Sequence, residues 1–266
     1  MNKNIFIEGI PGSGKSTLLI KLSKALSEYT VYHEGDISPV ELAWCSYMTE
    51  KKLQEAIAKF PDLEWEIRAK TQKEGDYYIT AYTQIMAERR EFYEYMERYE
   101  IYNGRVDFDT FHEIVMRRYR ALATRKNLFE CSLFQNTIES MMLFYEMSDE
   151  EIIAFYSEVY DILKEKGISV IYLETADIRE NIALIKKERS DDEGNEMWYP
   201  LMLGFLRESP YGKTHNYQNF EDMVDHFERR QTLERKIMKE VFGGDCMILP
   251  AKEYRLEEVL ETIGAS

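Results

Sequence analysis

The sequence lacks the features of a secreted, membrane-embedded or metal-cluster protein. Its three cysteines, Cys45, Cys131 and Cys246, are widely spaced, and an odd number cannot all pair within one chain. The four histidines are isolated and have no metal-ligand spacing. No apolar run reaches roughly 18 residues, and no apolar leader with a cleavage site is present. We therefore expect free thiols in a soluble, cytoplasmic protein that does not enter a membrane.

Positive charge is also scarce. The 266 residues include 34 lysines and arginines against 49 aspartates and glutamates, which gives a net charge of −15. A surface of this kind repels polyanions, so we expect no broad basic face for nucleic acid or for an anionic membrane. The expected partner is a small molecule, and a cationic one is compatible with the charge.

The chain does have enough apolar residues, 44% of its length, to build a full core. Five short, mostly apolar segments bounded by turn or helix signals are predicted strands. They are Asn4–Glu8, Thr30–His33, Asn127–Cys131, Ser169–Glu174 and Asp245–Leu249. Helical patterns lie between them, which predicts parallel strands joined by right-handed crossovers. The expected fold is a three-layer α/β/α sandwich around a five-stranded parallel sheet.

A long segment without a recognisable strand separates the second and third predicted strands. Residues 38–124 are rich in Glu, Arg, Lys and Tyr at helical spacing, for example Tyr78, Tyr82 and Phe92. We predict a helical insertion here, within a single domain that spans residues 1–266. Exposed aromatics on this insertion could form a dimer face, so a homodimer is one expectation for the assembly.

The first predicted strand runs into a glycine-rich loop. Residues 9–17 fit the pattern G-x-x-x-x-G-K-[ST], and a helical pattern follows them. In such a loop the backbone N–H groups and the helix N-terminus face phosphates, the lysine neutralises charge, and the hydroxyl binds Mg²⁺. Because both flanking elements are present, we predict a P-loop that binds ATP and Mg²⁺. The predicted ligands are Gly9, Pro11, Gly12, Ser13, Gly14, Lys15, Ser16 and Thr17, with Ser16 on the metal.

This strand and loop resemble the opening of deoxynucleoside kinases and thymidylate kinases. The sequence after the second strand resembles the deoxynucleoside kinases further, because Glu34 ends that strand and a Pro-Val pair and Trp44 follow it. In that family the strand-ending glutamate accepts the proton of the sugar hydroxyl. No segment resembles the Asp-Arg-His of thymidylate kinases, so a nucleoside monophosphate is the less favoured acceptor.

Two later segments extend the resemblance to deoxynucleoside kinases. Residues 128–132, Leu-Phe-Glu-Cys-Ser, are similar to the family's Glu-Arg-Ser motif with Cys131 in place of the arginine. Residues 184–193 look like the basic lid helix, whose two cations here are Lys187 and Arg189. The resemblance implies that these cations close on the transferring phosphate.

The same residues suit phosphoryl transfer on physical grounds. The reaction needs positioning, charge neutralisation and a group that orients the attacking hydroxyl. Glu34 and Glu130 follow strands at the edge where open α/β sheets bind ligands. We therefore predict Glu34 as the base and Glu130 as a ligand of Mg²⁺, directly or through water. Asp36 is the rival base or a helix cap, and either glutamate could instead be a solvated loop acid.

The basic stretch and the polar loop after it predict a lid over residues 186–197. Lys187 and Arg189 join Lys15 and Glu34 as the predicted catalytic residues. The alternative is that the basic residues form only the solvated face of a helix.

Acceptor contacts are less specific in the sequence. Candidates for stacking on a ring or hydrogen bonding to it are Trp44, Tyr82, Gln84, Arg89, Gln135 and Asn136. For any one aromatic, packing in the core is the alternative, and Asn136 could cap a helix.

The predicted function is transfer of the γ-phosphate of ATP to a hydroxyl of a small molecule, and the resemblance favours a nucleoside-like acceptor. A sugar-like or antibiotic acceptor is the alternative among kinases, because an acidic insertion is compatible with a cationic ligand. A non-kinase P-loop ATPase or switch is the alternative from another class. Such a protein typically ends an apolar strand in Asp, whereas the third strand here ends in Glu130 and Cys131.

Overall fold

The computed structural model describes residues 3–123, 125–191 and 193–264. Thr124, the last residue of the predicted insertion, and Asp192, in the predicted lid, lie outside the described residues. The chain divides into two compact units, Met1–Val31 with Ala123–Ser266 (unit 1) and Tyr32–Leu122 (unit 2). The single domain over residues 1–266 stays a prediction.

Eight strands and twelve α-helices are described. The strands are β1 (Asn4–Glu8), β2 (Thr30–Tyr32), β3 (Ser46–Thr49), β4 (Thr71–Glu74), β5 (Tyr77–Thr80), β6 (Asn127–Glu130), β7 (Ile168–Glu174) and β8 (Cys246–Pro250). The first six helices are α1 (Lys15–Ala25), α2 (Glu50–Lys59), α3 (Glu64–Ala69), α4 (Arg90–Glu97), α5 (Phe108–Ala121) and α6 (Gln135–Glu139). The others are α7 (Asp149–Leu163), α8 (Ile178–Glu188), α9 (Trp198–Glu208), α10 (Pro210–Thr214), α11 (Phe220–Ile237) and α12 (Leu256–Thr262). Two π-helical segments, Ser140–Phe144 and Met238–Phe242, continue α6 and α11.

The large sheet has the predicted architecture. Five strands form one parallel sheet in the order β2-β6-β1-β7-β8, with β1 at its centre. Side chains of β1 alternate between two covered faces: Ile5 and Ile7 pack with leucines of α1, whereas Phe6 stacks on Phe129 at 4.7 Å. The predicted α/β fold with a five-stranded parallel sheet and flanking helices is confirmed; β1 has the predicted limits, and each end that differs in the other four strands does so by one residue.

Unit 2 contains a second sheet that the sequence pattern did not predict. Strands β3, β5 and β4 form a three-stranded antiparallel sheet, so the expectation that residues 38–124 contain no strand is wrong. These strands have four residues each, and β4 has only polar residues, none of them buried, which removes the apolar signal on which strand prediction depends. Helices are present here as α2 to α5, and the apolar faces of α2, α3 and α4 form a cluster that includes Leu53, Ile67 and Phe92.

None of the helices in the described parts of the chain is long and apolar enough to cross a membrane.

Candidate functional site

The glycine-rich loop joins β1 to α1 in unit 1 and has the backbone that the pattern predicts. Gly12 and Gly14 have φ angles of 78° and 96°, in the region that favours glycine. A Cβ atom on Gly12 would lie 2.5 Å from Cγ1 of Ile185, so only glycine lets the loop approach α8 this closely. The conformation of the loop therefore depends on its glycines.

The N-terminus of α1 is open to an anion. Gly14 is its N-cap and supplies no side-chain acceptor, and no acidic residue lies in the first turn. The N–H groups of that turn have no carbonyl partner within the helix, and they carry the positive end of the helix dipole. The hydroxyl of Ser13 is buried beside them and has no hydrogen-bond partner among the described residues. These donors fit the oxygens of a polyphosphate.

Lys15 is held over this loop by backbone oxygens. Its Nζ donates to Gly9 O at 2.8 Å and to Ile10 O at 2.9 Å, and the side chain is buried. An ammonium group has three donors, and carbonyl oxygens are weaker partners than phosphate oxygens. Lys15 is therefore placed to exchange these carbonyls for the oxygens of a bound nucleotide.

Ser16 and Glu130 form the part of the site that suits a hard cation. The Ser16 hydroxyl, in the first turn of α1, donates to Oε1 of Glu130 at the end of β6. No group of three or more His, Cys, Asp or Glu among the described residues could hold a metal by itself. Mg²⁺ needs no such group, because proteins usually bind it through one or two oxygen ligands together with substrate phosphates and water. The donor set fits Mg²⁺.

The helix before the predicted lid packs directly on the loop. Asn181 of α8 donates through Nδ2 to Pro11 O at 2.8 Å, and Ile185 lies against Gly12. Lys187 and Arg189 follow Ile185 within about one helical turn, and both are exposed. The same contacts that shape the loop therefore anchor the helix that carries the predicted lid cations.

Lys186, Lys187 and Arg189, the three cations of the predicted lid, differ in their contacts. Lys186 pairs with Glu196 at 3.1 Å and lies 4.3 Å above the ring of Tyr199. Lys187 and Arg189 make no ion pair with any described residue, although Arg189 lies 5.6 Å from the centre of the Trp198 ring. This distribution favours Lys187 and Arg189 over Lys186 as ligands for an anion.

In unit 2 the two candidate bases have different environments. Asp36 accepts the His33 N–H through Oδ2 and the Gln84 amide through Oδ1, both at 2.8 Å. The first bond closes the turn of residues 33–36, and the second ties this turn to Gln84. Glu34 Oε1 accepts the indole N–H of Trp44 at 3.1 Å on the exposed surface. These contacts give Asp36 a structural role, and the assignment of Glu34 as the base stays a prediction.

Two of the predicted acceptor residues of unit 2, Trp44 and Gln84, bond to residues 34–36. Trp44 is 43% exposed and has an unusual φ of 63° for a bulky residue, which presents its ring next to Glu34. Gln84 holds Gly35 O at 3.1 Å as well as Asp36. The other two predicted acceptor residues of unit 2 are Tyr82 and Arg89.

Tyr82 and Arg89 each bond to another residue of unit 2, and these bonds account for their positions without a ligand. Tyr82 is buried, and its hydroxyl donates to Glu100 at 2.6 Å, as expected for the core alternative. Arg89 pairs with Asp62 and lies over the ring of Phe60. A cavity of about 280 Å³ in unit 2 is lined by other residues, among them Tyr47, Tyr77, Arg98 and Arg105.

In unit 1, Gln135 and Asn136 occupy the first turn of α6, directly after the segment that carries Glu130. Asn136 is not the N-cap, since the helix already begins at Gln135 after Phe134. Their assignment as acceptor contacts stays a prediction.

Two residues beside the loop were missed by the sequence analysis. Lys252, in the turn after β8, has a φ of 67°, and its Cγ would lie 3.8 Å from a Cβ on Gly14. Glu8, the last residue of β1, is fully buried. The sequence offered one indication for Glu8, namely a carboxyl group at the end of a predicted strand. Glu8 and Lys252 both contact segments that are distant from them in the sequence, so no local pattern identifies these contacts.

A scan against protein-family models finds no match, and neither does a search of curated proteins. Among solved structures, a shikimate kinase from Bacteroides thetaiotaomicron is similar over 99% of this chain and 99% of its own, with 10% sequence identity and a TM-score of 0.38. A likeness this weak carries no functional argument.

Proposed function

We propose that this protein is an ATP-dependent kinase that transfers the γ-phosphate to a hydroxyl group of a small molecule. The observation that carries the proposal is the donor arrangement around the loop of residues 9–17. An acid-free helix N-terminus, a buried Lys15 on exchangeable carbonyls, and a paired Ser16 and Glu130 together match a polyphosphate bound with a divalent cation.

Several residues of unit 1 have separate roles in binding ATP, the phosphate donor. The Lys15 ammonium group exchanges its hydrogen bonds to Gly9 O and Ile10 O for hydrogen bonds to the terminal phosphate oxygens. Ser16 and Glu130 would hold Mg²⁺, which would neutralise phosphate charge. Lys187 and Arg189 supply further positive charge where it develops during transfer.

Glu34 is the proposed base. A carboxylate that accepts the proton of the attacking hydroxyl aids transfer by positioning as much as by basicity. The Trp44 indole donates to the same carboxylate and restricts its orientation. The resemblance to deoxynucleoside kinases and the structural role of Asp36 support the same choice.

The favoured acceptor is a nucleoside-like molecule. The exposed Trp44 ring next to Glu34 supports an acceptor that has both a ring and a hydroxyl, because aromatic rings stack on one another. A sugar-like or antibiotic acceptor stays the alternative, and the net charge of −15 is compatible with a cationic one.

A screen with γ-labelled ATP tests the proposal. Nucleosides, simple sugars and aminoglycosides are incubated separately with the protein and Mg²⁺, and labelled organic products are separated from inorganic phosphate. We expect product from at least one nucleoside. Product only from sugars or aminoglycosides would transfer the assignment to that class, and the absence of any organic product would contradict the kinase proposal.

A further inference from the structure

Glu8 is a fully buried acid directly before the phosphate loop, and the mechanism above does not use it. Its Oε1 accepts the backbone N–H of Leu133 at 2.7 Å. Its Oε2 is buried and has no hydrogen-bond partner among the described residues. Burying a carboxyl group with one oxygen unpaired is unfavourable, so stability alone does not explain this residue.

Glu8 contacts the turn that carries Glu130. This turn, residues 130–133, contains Cys131 with a φ of 57°, a left-handed conformation that is uncommon for a residue other than glycine. The side chain of the first residue, Glu130, accepts the Ser16 hydroxyl. The strained residue therefore lies immediately after the predicted metal ligand.

Several hydrogen bonds keep the turn in this conformation. Cys131 N–H donates to Ile7 O at 3.2 Å, and the Ser132 hydroxyl donates to Glu130 O at 3.0 Å. At the far end, Leu133 N–H donates to Glu8, and Leu133 O accepts the Tyr156 hydroxyl at 2.8 Å. Strained backbone persists only where its surroundings determine it this fully, and it is concentrated at functional sites.

We propose that Glu8 is a positioning residue, which by holding Leu133 keeps Cys131 left-handed and thereby directs the Glu130 carboxylate at Ser16. The pairing of β1 with β6 fixes one end of the turn, through the register Ile7 to Glu130. Glu8 and Tyr156 fix the other end. Without the second anchor, Cys131 relaxes toward the right-handed region, and the carboxylate moves away from the hydroxyl.

This inference rests on the proposed binding of ATP with Mg²⁺, and metal dependence is its direct readout. Binding of a fluorescent ATP analogue is measured first in EDTA and then as a function of Mg²⁺ concentration, without an acceptor. Groups that orient a metal ligand typically change metal affinity about 10- to 100-fold when removed. We expect Glu8→Ala to raise the half-saturating Mg²⁺ concentration at least about tenfold and to leave binding in EDTA within about twofold.

Glu8→Gln is the matched variant, because its amide oxygen still accepts the Leu133 N–H. It should stay within about threefold of the wild type, whereas Glu8→Met, which fills a similar volume without an acceptor, should resemble Glu8→Ala. A role limited to packing would instead leave Glu8→Met close to the wild type. Tyr156→Phe removes only the second anchor and keeps the ring, so it tests the inference even if Glu8→Ala does not fold. We expect it to raise the half-saturating Mg²⁺ concentration severalfold.

An unchanged Mg²⁺ dependence in Tyr156→Phe and in folded Glu8→Ala would overturn the positioning role, as would equal effects of Glu8→Gln and Glu8→Ala. Wild-type binding that does not respond to Mg²⁺ would overturn it as well. Failure of the kinase proposal has a different result, namely Mg²⁺-dependent ATP binding without any phosphorylated acceptor.

Discussion

Lys15 has partners within the protein that a bound phosphate would replace in the proposed site. In the structure its ammonium is satisfied by two backbone oxygens, so burial of the charge does not leave it unpaired. Phosphate oxygens are stronger partners for the same donors. The lysine thus stabilises the free loop and remains available to the nucleotide.

Lys15→Ala should reduce ATP-dependent turnover by about 10²–10³-fold or more, because the charge that faces the terminal phosphates is lost. Lys24→Ala is the matched control, since Lys24 is an exposed lysine in the last turn of the same helix. Steady-state rates of ADP formation for the two variants provide the comparison. Equal rates in both would remove Lys15 from the mechanism.

Glu34→Gln should keep the affinity for ATP and lower kcat by about 10²–10⁴-fold, since the amide cannot accept the proton of the acceptor hydroxyl. Asp36→Asn should instead lower stability, because one oxygen of Asp36 closes the 33–36 turn and the other ties it to Gln84. Kinetics and thermal unfolding are measured on both variants. Full activity in Glu34→Gln with loss in Asp36→Asn would show that Asp36 is the base.

At the scale of elements, the loop packs against α8. Gly12 lies against Ile185, and Asn181 donates a hydrogen bond to Pro11 O. Because α8 continues into the predicted lid, a change in the loop backbone is expected to displace Lys187 and Arg189 too. The φ of 78° at Gly12 adds a second reason why no other residue fits there.

Gly12→Ala should weaken ATP binding at least about tenfold and lower stability by about 1–3 kcal/mol, since the methyl group both strains the backbone and overlaps Ile185. Gly244→Ala is the control, because a Cβ there meets no atom within 4 Å. Nucleotide titrations and urea unfolding distinguish the two variants. A Gly12→Ala protein with normal ATP affinity would contradict the loop geometry.

The sequence predicted those elements whose signal is local. Residues 9–17 form a continuous pattern, and the strands of the parallel sheet are short apolar runs. The hairpin of β4 and β5 was missed although Gly75 and Asp76 are a typical two-residue turn, because the flanking strands are short and partly polar. Glu8 could not be assigned, since its partner Leu133 is 125 residues away in the chain.

At the scale of the whole molecule, an acidic chain also buries several of its carboxyl groups. Burial raises the pKa of Glu8 from 4.5 to about 7, with Glu234 adding to the effect and Leu133 and Lys15 opposing it. Burial likewise raises the pKa of Glu41 to about 8 and that of Glu100 to about 7, both in unit 2. These groups bind protons more tightly in the folded protein than in the unfolded chain.

Stability should therefore fall as the pH rises from about 5 to 8. A raised carboxyl pKa means that the folded state holds more protons than the unfolded state in this window, so the free energy of unfolding decreases with pH. For Glu8 alone the decrease is up to roughly 3 kcal/mol. Glu139 does not offset this decrease. Burial acts to raise the pKa of Glu139, but His226 and Arg230 lower it to about 2, which is below the range of pH 5 to 8.

Urea unfolding at several pH values measures this trend, and Glu8→Gln should make it less steep by removing one titrating group. A free energy of unfolding that rises between pH 5 and 8, or a slope that Glu8→Gln leaves unchanged, would contradict the assignment of Glu8 as a buried carboxyl that is protonated in the folded state.

The fate of the γ-phosphate tests the central claim most directly. With γ-labelled ATP, Mg²⁺ and a mixture of nucleosides, the label is divided between organic product and inorganic phosphate for the wild type and for Glu34→Gln. The kinase account predicts that the wild type places most of the label on an organic product and that Glu34→Gln largely abolishes this product. Label released only as inorganic phosphate, at a rate that neither the nucleosides nor Glu34→Gln alters, would contradict it and indicate an ATPase.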